Sequence, residues 1–483
     1  MLALAVLITL GAIFFWLSFQ RARLVLYAVV FLAPWQGLDV DVGLRITAYL
    51  AILAPLAVVT LLWVLERGAL ASQSTRASEY FFLFIAYAVI WSLFQLPFLP
   101  HAEVAGGELR SPRLRAVMQI PMFLLTISPA LLVPHLLRQP FQLVTAARVY
   151  LWSSAVLAAL GWVQLVTWYS TGWNPIPIGL VNSLLGGMGE GTREGSFEFE
   201  SIFYRMNSFA GEPKNLGAAL AVAMLFIQVF WDNGGPRTAR TRLLWLFLAV
   251  SGLATFSTTA IYLWIIGTVA LAILKLTRAL RGRHGWRRAL LGSAVSLTLI
   301  TAGVVTVMTY SSASPEDASL IGLLHERTIG REAAIIEDFD HAVLQFLADE
   351  PMQAVLGVGM GNVHLYADPY LAPVVAVFAG GTSFVAKSGY LRTISELGIL
   401  GMLLWFAWVG RQIKEATKAS RLEYMQKDVS QSSTIPNAGV MMVLLFLGSG
   451  MVVSQFYFVI GACAALANVW AYPYHARIVQ LKS

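Results

Sequence analysis

One cysteine, Cys463, in 483 residues excludes an intrachain disulfide framework and any zinc site built on paired cysteines. Charge is scarce as well: 12% of the residues are charged, against about 25% in soluble domains. An ordinary soluble globular protein is thereby excluded. Repeats of 20 to 50 residues and low-complexity tracts are also missing, which argues against solenoids and flexible linkers. What fills the chain is apolar: 58% hydrophobic residues, 15 Trp and 27 Phe, with a mean hydropathy of +0.69. That composition predicts an all-α polytopic integral membrane protein, a single membrane domain over 1–483.

Apolar runs fall near 2–19, 24–37, 46–65, 80–99, 114–137, 143–169, 213–231, 242–257, 259–276, 289–310, 389–410, 437–452 and 456–472. They predict about 13 transmembrane helices, with 12 to 14 as the range, because Pro34 interrupts the second and few polar residues split 242–276 and 437–472. No basic residue precedes the first run, and Arg21 and Arg23 follow it, the pattern of a retained span and not of a cleaved signal peptide. With the C-terminus inside, 22 of the 33 Lys and Arg fall on the cytoplasmic side and 20 of the 26 Asp and Glu on the other. The positive-inside rule then selects N-out, C-in. Basic loops such as 275–288 are accounted for by anionic headgroups, so membrane lipids are the expected partners and nucleic acid is not.

Two long segments are expected outside, 170–212 and 311–388. The second contains an amphipathic helix from about Arg331 to Ala348, with Ile335, Ile336, Phe339, Val343, Phe346 and Leu347 at helical spacing and Pro351 beyond it. Its apolar face is expected to lie on the membrane.

Cations that persist in translocated loops ask for a reason. Arg110, Arg113 and Arg115 stand at the outer mouth of the fifth span, Arg205 and Lys214 flank the seventh, Arg327 and Arg331 precede the amphipathic helix, and Lys387 and Arg392 open the eleventh. Guanidinium groups at headgroup depth suit a lipid-linked phosphate or pyrophosphate, while snorkelling and pairing with outer carboxylates is the plainer alternative. Gly211, Glu212, Lys214 and Asn215 cluster around Pro213, where a helix N-terminus can hold an anion; Glu212 also suits simple complementation of the dipole. Arg392 and Glu396 share a helix face, either as a neutralising salt bridge or as a phosphate ligand with its orienting partner or base. Gly357-Val-Gly-Met-Gly-Asn362 lacks the strand and helix of a dinucleotide unit, Asp338-Phe-Asp340 suits a solvated helix face, and His341 and His364 lack metal or triad spacing. No metal or cofactor is expected.

Three stretches together resemble the O-antigen polymerase and ligase family of bacterial envelope glycan assembly. Arg205 to Gly217 is similar to that family's Arg, Gly-Phe, Glu-Pro stretch opening a helix; Arg331 to Asn362 resembles its Arg, amphipathic helix, Pro, Gly-x-Gly-x-Gly-Asn run; Gly389 to Gly401 looks like its Tyr-Leu, Glu-x-Gly-x-x-Gly helix. The resemblance covers the C-terminal two-thirds and implies a C-type glycosyltransferase architecture in the bacterial cytoplasmic membrane, working at the outer leaflet on undecaprenyl-pyrophosphate-linked oligosaccharides. It further implies that Arg205, Arg327 or Arg331, and Arg392 hold the pyrophosphate; Arg113, Lys214, Lys387 and Tyr390 are our further candidates for binding it. A chain-length regulator and a flippase are the implied partners.

One departure stands out: Lys387-Ser388-Gly389-Tyr390 stands where ligases of the family typically carry His-Asn or His-Ser before Tyr-Leu. That favours a repeat-unit polymerase over a ligase and leaves the base open, with Glu396 the first choice and Glu212 the second. The rivals are a ligase acting once per glycan on a lipid or protein acceptor, and a transporter or flippase for an anionic lipid. The paired broken helices and pseudo-repeats usual in transporters are not seen.

Overall fold

The computed structural model describes residues 2–41, 45–67, 76–99, 111–176, 178, 198–199, 203–232, 237–281, 331–371, 386, 388–425, 442–443 and 457–465. They form a helical bundle. Its helices are α1 (Leu2–Leu32), α2 (Ala48–Arg67), α3 (Arg76–Gln95), α4 (Pro112–Ile127), α5 (Pro129–Leu136), α6 (Pro140–Thr171), α7 (Pro213–Asp232), α8 (Ala239–Ala254), α9 (Thr258–Arg281), α10 (Arg331–Asp349), α11 (Pro351–Leu356), α12 (Val363–Ala367) and α13 (Gly389–Met425). Two antiparallel ribbons add to the all-α expectation: β1 (Asp39–Asp41) with β2 (Arg45–Thr47), and β3 (Glu198–Phe199) with β4 (Phe203–Tyr204).

Among the described residues six helices are long and apolar enough to cross a membrane: Gly11–Leu32, Glu79–Phe98, Pro112–Leu136, Phe141–Thr171, Pro213–Trp231 and Gly389–Thr417. Ala48–Trp63 and Thr259–Ile273 are shorter apolar helices. The runs expected at 2–19 and 24–37 form one helical element whose backbone leaves helical geometry at Arg21 (φ −145°, ψ 52°). The span expected at 289–310 lies outside the described residues, as does most of 437–452 and part of 456–472.

The directions of the helices follow from their contacts. Tyr27 donates to the Gln142 carbonyl (3.3 Å) and Trp35 to Ser153 (2.8 Å), so α1 and α6 run parallel. Gln164 bonds Asn207 just before α7, and the rings of Tyr150 and Phe226 meet at 6.0 Å near its other end, so α7 runs antiparallel to α6. Leu136 and Leu137, closing α5, pack with Ala22, Val25 and Leu26, near where α6 starts. The start of α4 therefore shares one end of the bundle with the finish of α6 and the start of α7. Without water to exclude, such helices gain their stability from close packing. The Gly37 amide donates to the Phe209 carbonyl at 3.0 Å, and a Cβ on Gly37 would stand 2.6 Å from the Gly211 Cα. Only glycine fits there, which explains Gly211 in the Arg205–Gly217 stretch.

The long loop is built as expected in sequence and differently in packing. Helix α10 ends at Asp349 and Pro351 opens α11 at its first position, where its missing N–H costs nothing. Its apolar face does not await lipid: Ala342, Val343 and Phe346 are buried against Val358, Val363, Ala367 and Leu371, with Phe346 5.8 Å from the Tyr366 ring. From Phe339 to Leu347 the hydrophobic stripe is satisfied by the loop's own helices.

Candidate functional site

The eleventh expected span is broken. At Gly398 the backbone takes φ +71°, ψ 177°, and helix α13 divides into Gly389–Leu397 and Ile399–Met425. In a straight helix Tyr390 and Phe406 would be about 24 Å apart, yet their rings stack at 5.9 Å. The two segments therefore fold against each other. Arg392 and Glu396, expected one to two turns inside the apolar run, stand instead on the short segment ahead of the break. That placement lowers the cost of keeping two ionisable groups there.

A helix break strands carbonyl oxygens, and here the glycine loop satisfies them. The Val358 amide donates to the Ser395 carbonyl (2.9 Å) and the Gly359 amide to the Glu396 carbonyl (2.8 Å). The Tyr87 hydroxyl lies 3.0 Å from the Leu397 carbonyl and 3.1 Å from that of Leu356, and the Trp91 indole donates to the Gly357 carbonyl at 3.0 Å. Ser92 accepts from the Met360 amide at 3.1 Å. Gly357, Gly359 and Gly361 all have positive φ, between +73° and +85°, a region that side chains with a Cβ pay to occupy. The two glycine motifs are the two halves of one joint.

Around this joint stand the charged groups. Arg392 Nε donates to Glu396 Oε1 at 3.1 Å, with the Arg392 side chain 47% exposed and that of Glu396 9% exposed. The pair has the geometry of a salt bridge and equally of a cation with its orienting carboxylate. Tyr390 is half-buried and packs its ring on Trp405 and Phe406. From α4, Arg115 Nη1 lies 3.3 Å from His364 Nε2 on α12. A guanidinium can only donate, so Nε2 is the acceptor and Nδ1 carries the proton. Burial foremost, then the Arg115 charge, push His364 down to about 4 against the opposing Gly361 backbone, so the ring is neutral at pH 7. Sequence spacing ranked His364 low because its partner is 249 residues away.

Arg205, Glu212 and Lys214 form a second group at the same end of the bundle. Arg205 donates from Nε to the Thr255 carbonyl (3.3 Å) and from Nη2 to that of Phe256 (3.4 Å), gripping the negative end of α8. Lys214 Nζ is 2.6 Å from Glu212 Oε2, with the lysine exposed. The Glu212 carbonyl accepts from the Asn215 and Leu216 amides at 3.0 and 3.2 Å, so the first turn of α7 begins where Pro213 foretold. The stretch is held from beneath by buried Gln164, a residue that sequence reasoning missed. Its Oε1 accepts from the Asn207 and Ser208 amides (3.2 and 2.9 Å) and its Nε2 donates to Asn207 Oδ1 (2.6 Å). A lone glutamine in an apolar run at 143–169 was the available signal.

Arg113 is exposed on the first turn of α4. Arg331 opens α10, while Arg327, Lys387 and Arg110 lie outside the described residues. Topology puts the Arg205 group and the Arg392 group at one end of the bundle. Among the described residues no three His, Cys, Asp or Glu side chains are grouped so as to hold a metal ion. Comparison with protein-family models gave no match, and comparison with curated proteins gave none.

Proposed function

We propose that this protein is a membrane glycosyltransferase of the O-antigen polymerase type, joining lipid-pyrophosphate-linked oligosaccharide repeats at the outer leaflet of a bacterial cytoplasmic membrane. The observation that carries the reading is the joint itself: the Gly-x-Gly-x-Gly-Asn loop and the Glu-x-Gly-x-x-Gly helix, on which the resemblance rests, meet through two backbone hydrogen bonds beside Arg392 and Glu396. Supporting it, Arg113, Arg115, Arg205 and Lys214 gather at the same end of the bundle.

In this reading an acceptor sugar hydroxyl attacks the anomeric carbon of the donor glycan. A new C–O bond forms, the bond from that carbon to the pyrophosphate oxygen breaks, and undecaprenyl pyrophosphate leaves. Arginines stabilise the charge that develops on the leaving group, a contribution that is usually the largest in such a transfer. Glu396, held at one oxygen by Arg392, receives the hydroxyl proton; Glu212, already engaged by Lys214, ranks second. Neutral His364 orients Arg115 and does not compete with it for the anion.

The experiment is reconstitution of the purified protein in liposomes with the lipid-linked repeat unit alone, following product size on a gel. A ladder that lengthens with time, and is lost in Arg205→Ala and Arg392→Ala, is expected. A single transfer that requires a lipid or protein acceptor would identify a ligase. Lipid crossing between leaflets with no covalent product would overturn the glycosyltransferase reading.

A further inference from the structure

We infer that a cavity at the opposite end of the bundle binds one anionic lipid, its hydrocarbon chain inside and its phosphate against Arg148 and Arg240. The cavity, about 820 Å³, lies between α1, α6, α7 and α8, within the roughly 300–1,000 Å³ range of dedicated ligand sites. Its wall is apolar, with Leu26, Ala147, Leu151 and Phe226 among the lining residues, and Arg148 and Arg240 are the charged ones among the described residues that line it. Among the described residues that line it, none is a carboxylate.

The two arginines belong to one end of the bundle. Arg148 is two residues from Tyr150, whose ring meets Phe226 at 6.0 Å, and Arg240 adjoins Thr241, which accepts from the Trp231 indole at 3.1 Å. Phe226 and Trp231 are in the second half of α7, away from Arg205, Glu212 and Lys214 at its start. Both arginines are exposed, and so are the lining side chains Trp152 (62%) and Leu243 (65%). The cavity is therefore open on a face of the bundle that presents hydrocarbon to its surroundings. An apolar space of this kind holds no stable water, whereas a lipid chain fills it. Guanidinium groups at its rim bind phosphate oxygens, and two cations side by side select a net negative headgroup over a zwitterionic one. The assignment stands apart from the glycosyltransferase reading and uses none of its residues.

The test uses the full chain purified from nanodiscs containing phosphatidylcholine and phosphatidylglycerol, with retained lipid quantified by native mass spectrometry. The wild type should retain phosphatidylglycerol in preference to phosphatidylcholine, and Arg148→Gln and Arg240→Gln should each lower that preference about fivefold. Ala147→Trp, which fills the cavity, should remove the retained lipid altogether. The arginine variants alter exposed side chains, so they remain decisive if the tryptophan variant fails to fold. Equal retention of both lipids by the wild type, or an unchanged preference in the double glutamine variant, would overturn the proposal.

Discussion

The amide of Gly359 donates to the carbonyl of Glu396 at 2.8 Å, tying the long loop to the segment that carries the candidate acid-base pair. Position of the Glu396 carboxylate thus depends on a loop whose contribution is entirely backbone. Any change that moves the loop moves the carboxylate with it.

Gly398→Ala should be strongly destabilising. At φ +71°, ψ 177° a side chain costs about 1–3 kcal/mol, and its Cβ would stand 2.5 Å from the Leu356 carbonyl carbon. Gly410→Ala, whose Cβ would meet nothing within 4 Å, is the control. Thermal unfolding in detergent should fall for the first variant and stay unchanged or rise for the second. Equal melting temperatures would show that the break is not set by Gly398.

Arg392→Ala should both stop chain growth and lower stability, because it leaves the nearly buried Glu396 carboxylate without its guanidinium. Half-exposure of Arg392 discounts the loss to roughly 1 kcal/mol. Adding Glu396→Gln should restore the stability without restoring the ladder. Recovery of chain growth in the double variant would reduce the pair to a structural salt bridge.

Gln164→Leu should release the Arg205 stretch. It strands the Asn207 and Ser208 amides, each costing about 1–3 kcal/mol when left unpaired in the interior, and both residues are buried. Hydrogen exchange should increase over 204–211 and leave 357–362 unaltered. Faster exchange in both segments would mean that the two groups are mechanically one.

His364 makes stability depend on pH with a definite sign. Its folded-state value, about 4, is below the ordinary 6.5, so between these pH values the unfolded chain binds more protons and stability falls as pH falls. The full effect is on the order of 3 kcal/mol, complete near pH 4 and absent above 6.5. His364→Gln, which keeps an acceptor for Arg115, should flatten the melting-temperature profile in that window while preserving transfer at pH 7.5. His364→Leu should preserve neither the contact nor the rate.

Much of the helical framework was legible from hydropathy, because each apolar run of about twenty residues has few ways to satisfy its backbone outside water. Pro213 opening a helix, and α10 starting at about Arg331, followed from local chemistry. The ionic candidates were legible as well, since cations in otherwise translocated loops are conspicuous. The break at Gly398 was not: glycine permits positive φ without requiring it, so Gly389–Gly401 looked like the opening of one continuous span. Gln164 and His364 were missed or ranked low for another reason, their partners being remote in sequence.

The amino-acid sequence by itself determined the class of molecule, much of its helical framework and the choice of candidate anion-binding residues, because periodicity, composition and capping act over a few neighbouring residues. Only tertiary structure decided that two glycine motifs form one joint, that Arg115 meets His364, that Arg205 grips the end of α8, and that Ala342, Val343 and Phe346 of α10 pack within its own loop. Those outcomes depend on how broken helices pack and where stranded carbonyls find donors, which no local pattern specifies.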